Sequence, residues 1–107
     1  MSVGTFKQVT VTAPDEATAT QLADWAVDGR HAACAQISGP ITSVYRWQGE
    51  RHRESEWVVT FKTTAAGATR LSEQIPARHP YDVPEILSVD VTGEHRYLAW
   101  LEVEVAG

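Results

Sequence analysis

The amino-acid sequence predicts a single α+β domain whose strands and helices follow the order βαββαβ, with one more helix at the C-terminus. Three observations lead to this prediction. Residues 6–13 alternate apolar and polar side chains, which is typical of a half-buried strand. Residues 41–64 form two arms rich in β-branched and aromatic residues on either side of Gly49, which indicates a β-hairpin. Apolar residues at helical spacing follow both the first strand and the hairpin.

Length and composition restrict the class of protein. The 107 residues predict one domain, residues 1–107, and a 43% hydrophobic content suffices for a core without metal or disulfide. The formal net charge is −5, and basic residues cluster only at Arg51 and Arg53, which argues against nucleic acid and membrane as partners. The single cysteine, Cys34, cannot form an intrachain disulfide and favours a reducing compartment. With no signal peptide and no long apolar run, we expect a cytoplasmic protein.

The hairpin around Gly49 determines how the aromatic side chains are distributed. A two-residue turn at Gln48-Gly49 or at Gly49-Glu50 would connect the arms, and the residues alone do not choose between them. Either turn pairs odd-numbered residues of the first arm with even-numbered residues of the second. One face is then a plain core, made of Val44, Trp57, Val59 and Phe61. The other mixes aromatic, apolar and charged groups, namely Tyr45, Trp47, Glu54, Glu56, Val58 and Lys62.

The length of the hairpin predicts an oligomer. If the first arm continues back to Ala33 across Gly39-Pro40, it has about 15 residues and spans roughly 50 Å. A compact domain of this size is only about 35 Å across. The tip of the hairpin should therefore project, and its aromatic side chains need a partner to cover them.

The remaining elements follow from periodicity and from proline. The first helix ends near Gly29 and buries a stripe made of Ala19, Leu22, Ala23 and Ala26. The second begins near Ala65 and buries Ala68, Leu71 and Ile75, and Pro76 makes its last turn irregular. A rigid turn over residues 79–85 leads into a strand over residues 85–91.

The C-terminal segment is predicted to be helical, because Tyr97, Leu98, Trp100 and Leu101 have helical spacing. Residues 102–105 alternate apolar and polar side chains, so a strand is the alternative for them. Trp25, Trp57 and Trp100 are assigned to the core. Two split βαβ units place both internal helices on one face of a four-stranded antiparallel sheet, the ferredoxin-like arrangement. The other face lacks cover from those helices, which agrees with the mixed face of the hairpin.

Candidate metal ligands occur in two places. His79, Asp82 and Glu85 lie within the proline-set turn, and imidazole with carboxylates suits weakly bound Cu or Zn. The alternative is that His79 only caps the second helix. Cys34, with His31 three residues away, is the softest ligand, although a free cysteine on a strand is more often a small buried hydrophobe. No CxxC, HxxH or HExxH spacing is present, so no obligatory metal is expected.

A second candidate site is a ligand cleft at a subunit interface, lined by Tyr45, Trp47, Glu56, Lys62 and Tyr81. A lysine facing aromatic side chains could hold an anionic ligand. The alternative is interface packing in which Lys62 pairs with a carboxylate. Neither Ser43 nor Ser55 has an evident base, so we expect no enzymatic activity.

Several motifs together resemble the CutA family of divalent-cation tolerance proteins. They are the TAPDE stretch at residues 12–16, AAC at 32–34, ITSVYRWQG at 41–49, KTT at 62–64, HPYDVPEI at 79–86 and YLAWL at 97–101. These pieces cover almost the whole chain in order and spacing. The YxWQG hairpin tip and the HPYxxPE turn are the most specific of them.

The resemblance implies a ferredoxin-like subunit in a homotrimer, whose long hairpins pair across subunits as in the PII trimers. It also implies a role in tolerance to copper and other divalent metal ions, without an established reaction. Some family members carry a cysteine and a second histidine proposed as copper ligands, and here Val11 and Arg78 occupy those positions. The resemblance therefore implies only weak metal binding, through His79. A PII-like small-molecule sensor or an enzyme using the cleft around Lys62 is the alternative.

Overall fold

The computed structural model describes residues 5–107 and confirms the predicted α+β class and element order. The elements are β1 (Phe6–Ala13), α1 (Glu16–Asp28), β2 (Cys34–Trp47), β3 (Glu50–Thr64), α2 (Ala65–Gln74), a 3-10 turn (Ile75–Arg78), β4 (Ile86–Val91) and α3 (His95–Glu104). The strands form one antiparallel sheet in the order β2-β3-β1-β4, the order that two split βαβ units produce. The irregular last turn expected at Pro76 is this 3-10 turn.

The hairpin turn lies at Gln48-Gly49. Trp47 pairs with Glu50, and both turn residues have a positive φ, 52° and 81°, as the tight turns that match strand twist require. Odd-numbered residues of β2 therefore pair with even-numbered residues of β3 in the outer half of the hairpin, as predicted. Between Ser38 and Ile41 the register shifts by one residue, so that Cys34 pairs with Lys62 nearer the helices.

The outer half of the hairpin projects beyond the rest of the sheet. The last residue of β1, Ala13, pairs with Trp57, so among residues 5–107 the segment 50–56 of β3 pairs with β2 alone. The described part of the molecule accordingly measures 50 × 23 × 22 Å. The long axis agrees with the length estimated for the arm.

The main core lies between one face of the sheet and helices α1 and α2. Val9, Val11, Ala13, Val59 and Phe61 from the sheet contact the predicted stripes of both helices, and all are fully buried. Asp15 begins α1 by accepting a hydrogen bond from the Thr18 amide, 2.7 Å away. That bond lowers the pKa of the Asp15 carboxyl.

The second face of the sheet is covered at one end by α3, whereas the sequence predicted no helical cover there. Leu98, Leu101 and Val105 pack against Phe6 and Val91, and strand alternation places Phe6 on the face opposite Val9. The segment predicted as an alternative strand is helical to Glu104. Away from α3, this face keeps two large exposed side chains on β4, Leu87 (61% exposed) and Val89 (54% exposed).

The assignment of Trp100 to the core is wrong, because its side chain is 44% exposed. Leu98 and Leu101 point from α3 to the sheet, and a residue two positions after Leu98 lies on the far side of a helix with 3.6 residues per turn. Trp25 and Trp57 do pack against the main core, at its margin.

Candidate functional site

A cleft of about 630 Å³ separates the projecting half of the hairpin from the turn that precedes β4. We call it the hairpin cleft; it is lined by Thr12, Ser43, Val44, Tyr45, Trp47, Glu56, Pro80, Tyr81, Asp82, Val83 and Glu85. The hairpin supplies one wall because it extends past β1. The turn over residues 79–85 supplies the other wall, because the chain must pass there from the 3-10 turn to Ile86 at the start of β4. The structure thus brings together six of the residues predicted for two separate sites, Tyr45, Trp47, Glu56, Tyr81, Asp82 and Glu85.

Glu56 and Tyr81 join the two walls. The Tyr81 hydroxyl donates to Oε2 of Glu56 at 2.8 Å, and the Glu56 side chain is buried although it belongs to the outer hairpin. Burial, the hydrogen bond to Glu56 and the charge of that carboxylate raise the pKa of Tyr81 far above its usual value. The phenol therefore stays protonated and serves as a hydrogen-bond donor in this cleft.

Aromatic side chains form much of the hairpin wall. The Tyr45 hydroxyl donates to Oε2 of Glu54 at 2.9 Å, and its ring stacks on His52 at 5.2 Å. The hydrogen bond to Glu54 is the main cause of a raised pKa at Tyr45. Trp47 is 44% exposed beside it. Sequence reasoning missed five other lining residues, which are Thr12, Ser43, Val44, Pro80 and Val83. The assignment of Val44 to the core face is wrong: its side chain is 51% exposed, because the hairpin there extends past β1.

The cleft has an acidic lining. Glu56, Asp82 and Glu85 contribute carboxyl groups, and Glu54 lies next to them through its bond to Tyr45. Among the described residues, no lysine, arginine or histidine lines the cleft. An anionic ligand would be repelled there, whereas a cation would be attracted.

His79 holds the turn in place. Its ring is buried, Nε2 donates to the Thr12 carbonyl at 2.7 Å, and Nδ1 accepts from the Tyr81 amide at 3.1 Å. These partners require the neutral imidazole with its proton on Nε2. The cap on the second helix proposed as an alternative is absent, since both nitrogens bond elsewhere. Coordination of a metal ion by His79 stays a prediction, and it would require the ring to give up one of these bonds.

The predicted metal ligands do not form a closed cage. Within residues 5–107, no three histidine, cysteine, aspartate or glutamate side chains converge to hold a metal ion. Cys34 is half-buried on β2, opposite Lys62 and away from the cleft. Any ion bound by Asp82 and Glu85 would keep water or a further chain as ligands.

Lys62 does not line the cleft. It lies six residues from Glu56 along β3, or roughly 20 Å at the rise of an extended strand. Its ammonium group donates to Oε1 of Gln36 at 2.6 Å. Within this chain Lys62 therefore pairs with an amide oxygen and not with a carboxylate, and it lies outside the hairpin cleft. Its place in a cleft between subunits stays a prediction. The small-molecule sensor built around Lys62 has no support from this geometry.

His31 belongs to a separate group, which we call the Arg70 cluster and define as Arg30, His31 and Arg70. Nδ1 of His31 accepts from Nε of Arg70 at 3.2 Å, and a second nitrogen of Arg70 donates to the Ala106 carbonyl at 2.7 Å. Arg30 donates to the carbonyls of Val103 and Glu104, the last turn of α3. Burial lowers the pKa of His31, and the charges of Arg70 and Arg78 lower it further. Nδ1 of His31 is thus occupied, and the predicted pairing of His31 with Cys34 stays without support.

No helix within the described residues is long and apolar enough to cross a membrane.

Comparison with known proteins gives consistent matches over nearly the whole chain. The family model described as CutA1 divalent ion tolerance protein matches residues 7–104. A protein of Thermus thermophilus named divalent-cation tolerance protein CutA is 42% identical over 94 residues, which are 87% of this chain and 91% of the relative.

Two solved structures show the same fold. CutA1 from Oryza sativa superposes with a TM-score of 0.91 at 32% identity, covering 96% of this chain and 95% of that one. A protein of Archaeoglobus fulgidus, described as periplasmic divalent cation tolerance protein CutA, superposes with a TM-score of 0.90 at 25% identity. The match covers 94% of this chain and 99% of that one.

Proposed function

The chain belongs to the CutA1 divalent ion tolerance family, and from this membership we propose that it is a homotrimeric binding protein that acts in divalent-cation tolerance by weak binding of ions such as Cu(II) or Zn(II). The observation that carries the ion-binding role is the acidic lining of the hairpin cleft, which no basic side chain among the described residues neutralises. The proposed role is binding and not catalysis.

The surface of a single chain supports the homotrimer. Leu87 and Val89 expose apolar area on the part of the sheet that α3 leaves open, and Trp47 exposes more at the projecting hairpin. Large exposed apolar side chains of this kind are often buried between subunits. A second copy is the partner that the family resemblance implies, through the long hairpin.

The ligands of the proposed ion site are Asp82 and Glu85, whose exposed carboxylates face the cleft. Oxygen ligands bind Zn(II) less tightly than sites that also contain thiolate or imidazole. Val11 and Arg78 supply neither, and His79 joins only if the turn relaxes. Weak affinity follows from this ligand set. Cys34 remains a second candidate ligand on the other part of the sheet.

We place the protein in the cytoplasm, since its lone cysteine needs no oxidising compartment. The solved A. fulgidus relative is described as periplasmic, which makes the compartment of this chain a direct test of the proposal. Fractionation of cells that express the protein, with a cytoplasmic and a periplasmic marker enzyme, gives the answer. Recovery with the periplasmic marker would contradict the cytoplasmic proposal.

Native mass spectrometry tests assembly and ion binding together. The spectrum of the wild type should show three subunits, with additional mass after Cu(II) or Zn(II) is added. The double variant Asp82→Asn/Glu85→Gln should keep the trimer and lose most of the added metal. A matched control, Glu73→Gln/Glu102→Gln, removes two exposed carboxylates outside the cleft and should behave as the wild type. A single-subunit mass would contradict the trimer, and equal metal uptake by both double variants would contradict the site.

A further inference from the structure

The C-terminal end of α3 is fixed to the helical side of the molecule by two arginines. Arg30, which follows α1, donates to the carbonyls of Val103 at 2.8 Å and Glu104 at 3.1 Å. Arg70 of α2 donates to the Ala106 carbonyl at 2.7 Å, and the Ala106 amide donates to the Arg30 carbonyl at 2.9 Å. The position of this end therefore depends on how the two arginines are held.

His31 holds the guanidinium of Arg70 in the orientation that reaches Ala106. Nε of Arg70 donates to Nδ1 of His31 at 3.2 Å, while another nitrogen of the same planar group donates to Ala106. Because the guanidinium is rigid, a group that pushes Nε away also turns the other donor away from the carbonyl. Nδ1 accepts only while it carries no proton, since both nitrogens of the charged ring are donors. A proton on Nδ1 therefore breaks the link to Arg70.

The charged groups around His31 oppose its protonation. The Trp25 ring of α1 packs on the imidazole, with centroids 4.8 Å apart. The 3-10 turn presents Arg78, whose guanidinium lies 4.4 Å from the Trp25 centroid, α2 presents Arg70, and Arg30 precedes His31 in the chain. Burial lowers the pKa of His31, and the charges of Arg70 and Arg78 lower it further. Within residues 5–107, no carboxylate forms an ion pair with these side chains, so an imidazolium here would lack a counter-ion.

The apolar contacts beneath this end of α3 form a small cluster. Val105 packs with Phe6, Leu98 and Leu101 in a group much smaller than the main core. Val105 also lies beside Gly67 of α2, since a methyl group on that glycine would come within 3.1 Å of its side chain. Segments with little buried apolar area open locally at lower free energy than the core. The hydrogen bonds of the Arg70 cluster therefore contribute a large share of what keeps this end closed.

We propose that the Arg70 cluster is a proton-operated latch on the end of α3: protonation of His31 releases Arg70 from Ala106 and frees residues 103–107 while the main core stays folded. The latch is closed at pH 7.5, where the ring is neutral. As the pH falls below the ordinary histidine pKa of about 6.5, the open form becomes more populated, because the freed ring gains a proton. None of these groups belongs to the projecting hairpin or to the exposed part of the sheet, so the latch requires neither the proposed trimer nor the proposed ion site.

Amide hydrogen exchange of the full-length protein, followed by NMR at pH 7.5 and 5.5, tests the latch. A released histidine with a pKa of about 6.5 raises the open population by at most about tenfold between these pH values. After correction for intrinsic exchange rates, protection of the Ala106 amide should therefore fall by about threefold to tenfold at pH 5.5. Dilute urea should leave its exchange unchanged, because local opening exposes little surface, and the amides of β1 should stay more protected at both pH values.

Two results would overturn the proposal. Constant protection of the Ala106 amide between pH 7.5 and 5.5 would show that protonation does not open the latch. A urea dependence equal to that of the β1 amides would show that the end of α3 opens only when the whole domain unfolds.

Variants then assign the response to His31. His31→Gln keeps an acceptor for Arg70 and cannot be protonated, so protection of the Ala106 amide should differ by less than about twofold between the two pH values. His95→Gln, at an exposed position in the first turn of α3, is the matched control and should retain the pH response of the wild type. A response that survives in His31→Gln, or that disappears in His95→Gln, would contradict the role of His31.

Arg70→Lys gives an independent test, which remains available if His31→Gln does not fold. A compact ammonium group lacks the planar fork that reaches His31 and Ala106 together. Protection of the Ala106 amide should therefore be at least about threefold lower than in the wild type already at pH 7.5, and should change less on acidification. Wild-type protection at pH 7.5 with a full pH response in this variant would overturn the latch.

Discussion

The Arg70 cluster and the hairpin cleft both gather polar side chains from distant parts of the chain, and they differ in how the charge is matched. In the Arg70 cluster, the two arginines donate to the carbonyls of Val103, Glu104 and Ala106, and Arg70 also donates to His31. In the cleft, which has a volume of about 630 Å³, Glu56 accepts from the Tyr81 hydroxyl, and Asp82 and Glu85 add two more carboxyl groups. The neighbouring Glu54 accepts from the Tyr45 hydroxyl.

The difference shows which polar cluster is structural and which is available to a ligand. Carbonyls at the end of a helix lack intrahelical partners, so Arg30 and Arg70 satisfy groups that folding itself leaves open. In the cleft, only Glu56 has such a role, since it accepts from the Tyr81 hydroxyl. Asp82 and Glu85 are exposed, and no described basic residue lines the cleft to offset their charge. We therefore expect changes at the Arg70 cluster to alter stability, and changes at the cleft to alter binding.

The largest effect on stability is expected for Gly67→Ala, beside the Arg70 cluster. A methyl group there would collide with the Thr63 hydroxyl oxygen and the His31 carbonyl, which are themselves hydrogen-bonded to each other. Alanine in a helix favours folding by about 1 kcal/mol over glycine, but overpacking of this severity costs about 3 kcal/mol. Urea unfolding at fixed protein concentration should show a net loss of about 2 kcal/mol.

Gly93→Ala is the matched control for that change. Its added methyl group would meet only the Leu98 side chain, at the ordinary contact distance of 3.6 Å. Stability should change by less than about 0.5 kcal/mol. A Gly67→Ala protein as stable as the wild type would contradict the packing described for this cluster.

The second effect on stability is expected from acid, which should weaken the Arg70 cluster. The pKa of His31 is lowered in the folded protein, chiefly by burial, so folding favours the neutral ring that accepts from Arg70. A histidine whose pKa is lower in the folded than in the unfolded state stabilises the fold at pH values above its unfolded pKa of about 6.5. This stabilisation is lost as the pH falls from there through the lower, folded pKa. The midpoint of thermal unfolding should therefore decrease between pH 7.5 and 5.5.

His31→Gln separates this effect from other titrations. Glutamine can accept a hydrogen bond from Arg70 and does not titrate. The midpoint temperature of unfolding should therefore decrease less in the variant than in the wild type over the same pH interval. An identical pH dependence of variant and wild type would show that His31 is not responsible.

Sequence reasoning predicted the cleft better than it predicted the cluster, for physical reasons. Strand alternation correctly assigned Tyr45, Trp47 and Glu56 to one face, because a period of two leaves no other choice once the turn is set. Alternation gives the face of a side chain and not its position along the strand. For that reason Lys62 was grouped with residues roughly 20 Å away.

Other features were beyond the reach of local patterns. The hydrogen bond from His79 to the Thr12 carbonyl joins residues 67 apart in sequence, so the residue types alone could not distinguish a ligand from an anchor. The Arg70 cluster depends on the path of the C-terminus, which no periodicity specifies. Trp100 was assigned to the core because α3 is apolar on several sides, and periodicity then identifies no single buried face.

A small effect on stability is expected at the cleft for Tyr81→Phe. Loss of the hydroxyl removes the donor to the Glu56 carboxylate, which costs about 1.5 kcal/mol, the lower end for a hydrogen bond to a charged group. Tyr97→Phe, on the exposed side of α3, is the control and should leave stability unchanged. Urea unfolding of both variants makes the comparison, and a loss above about 3 kcal/mol for Tyr81→Phe would mean that the cleft is primarily structural.

The most direct test of the contrast between the two regions is a residue-resolved NMR titration of the wild type with Zn(II) at pH 7.5. If the cleft is the cation site, backbone amide signals of residues 80–85 and 54–58 should shift, and those of residues 30–34 and 104–106 should stay in place. Shifts centred on residues 30–34 would contradict this account and would place the ion at His31 and Cys34.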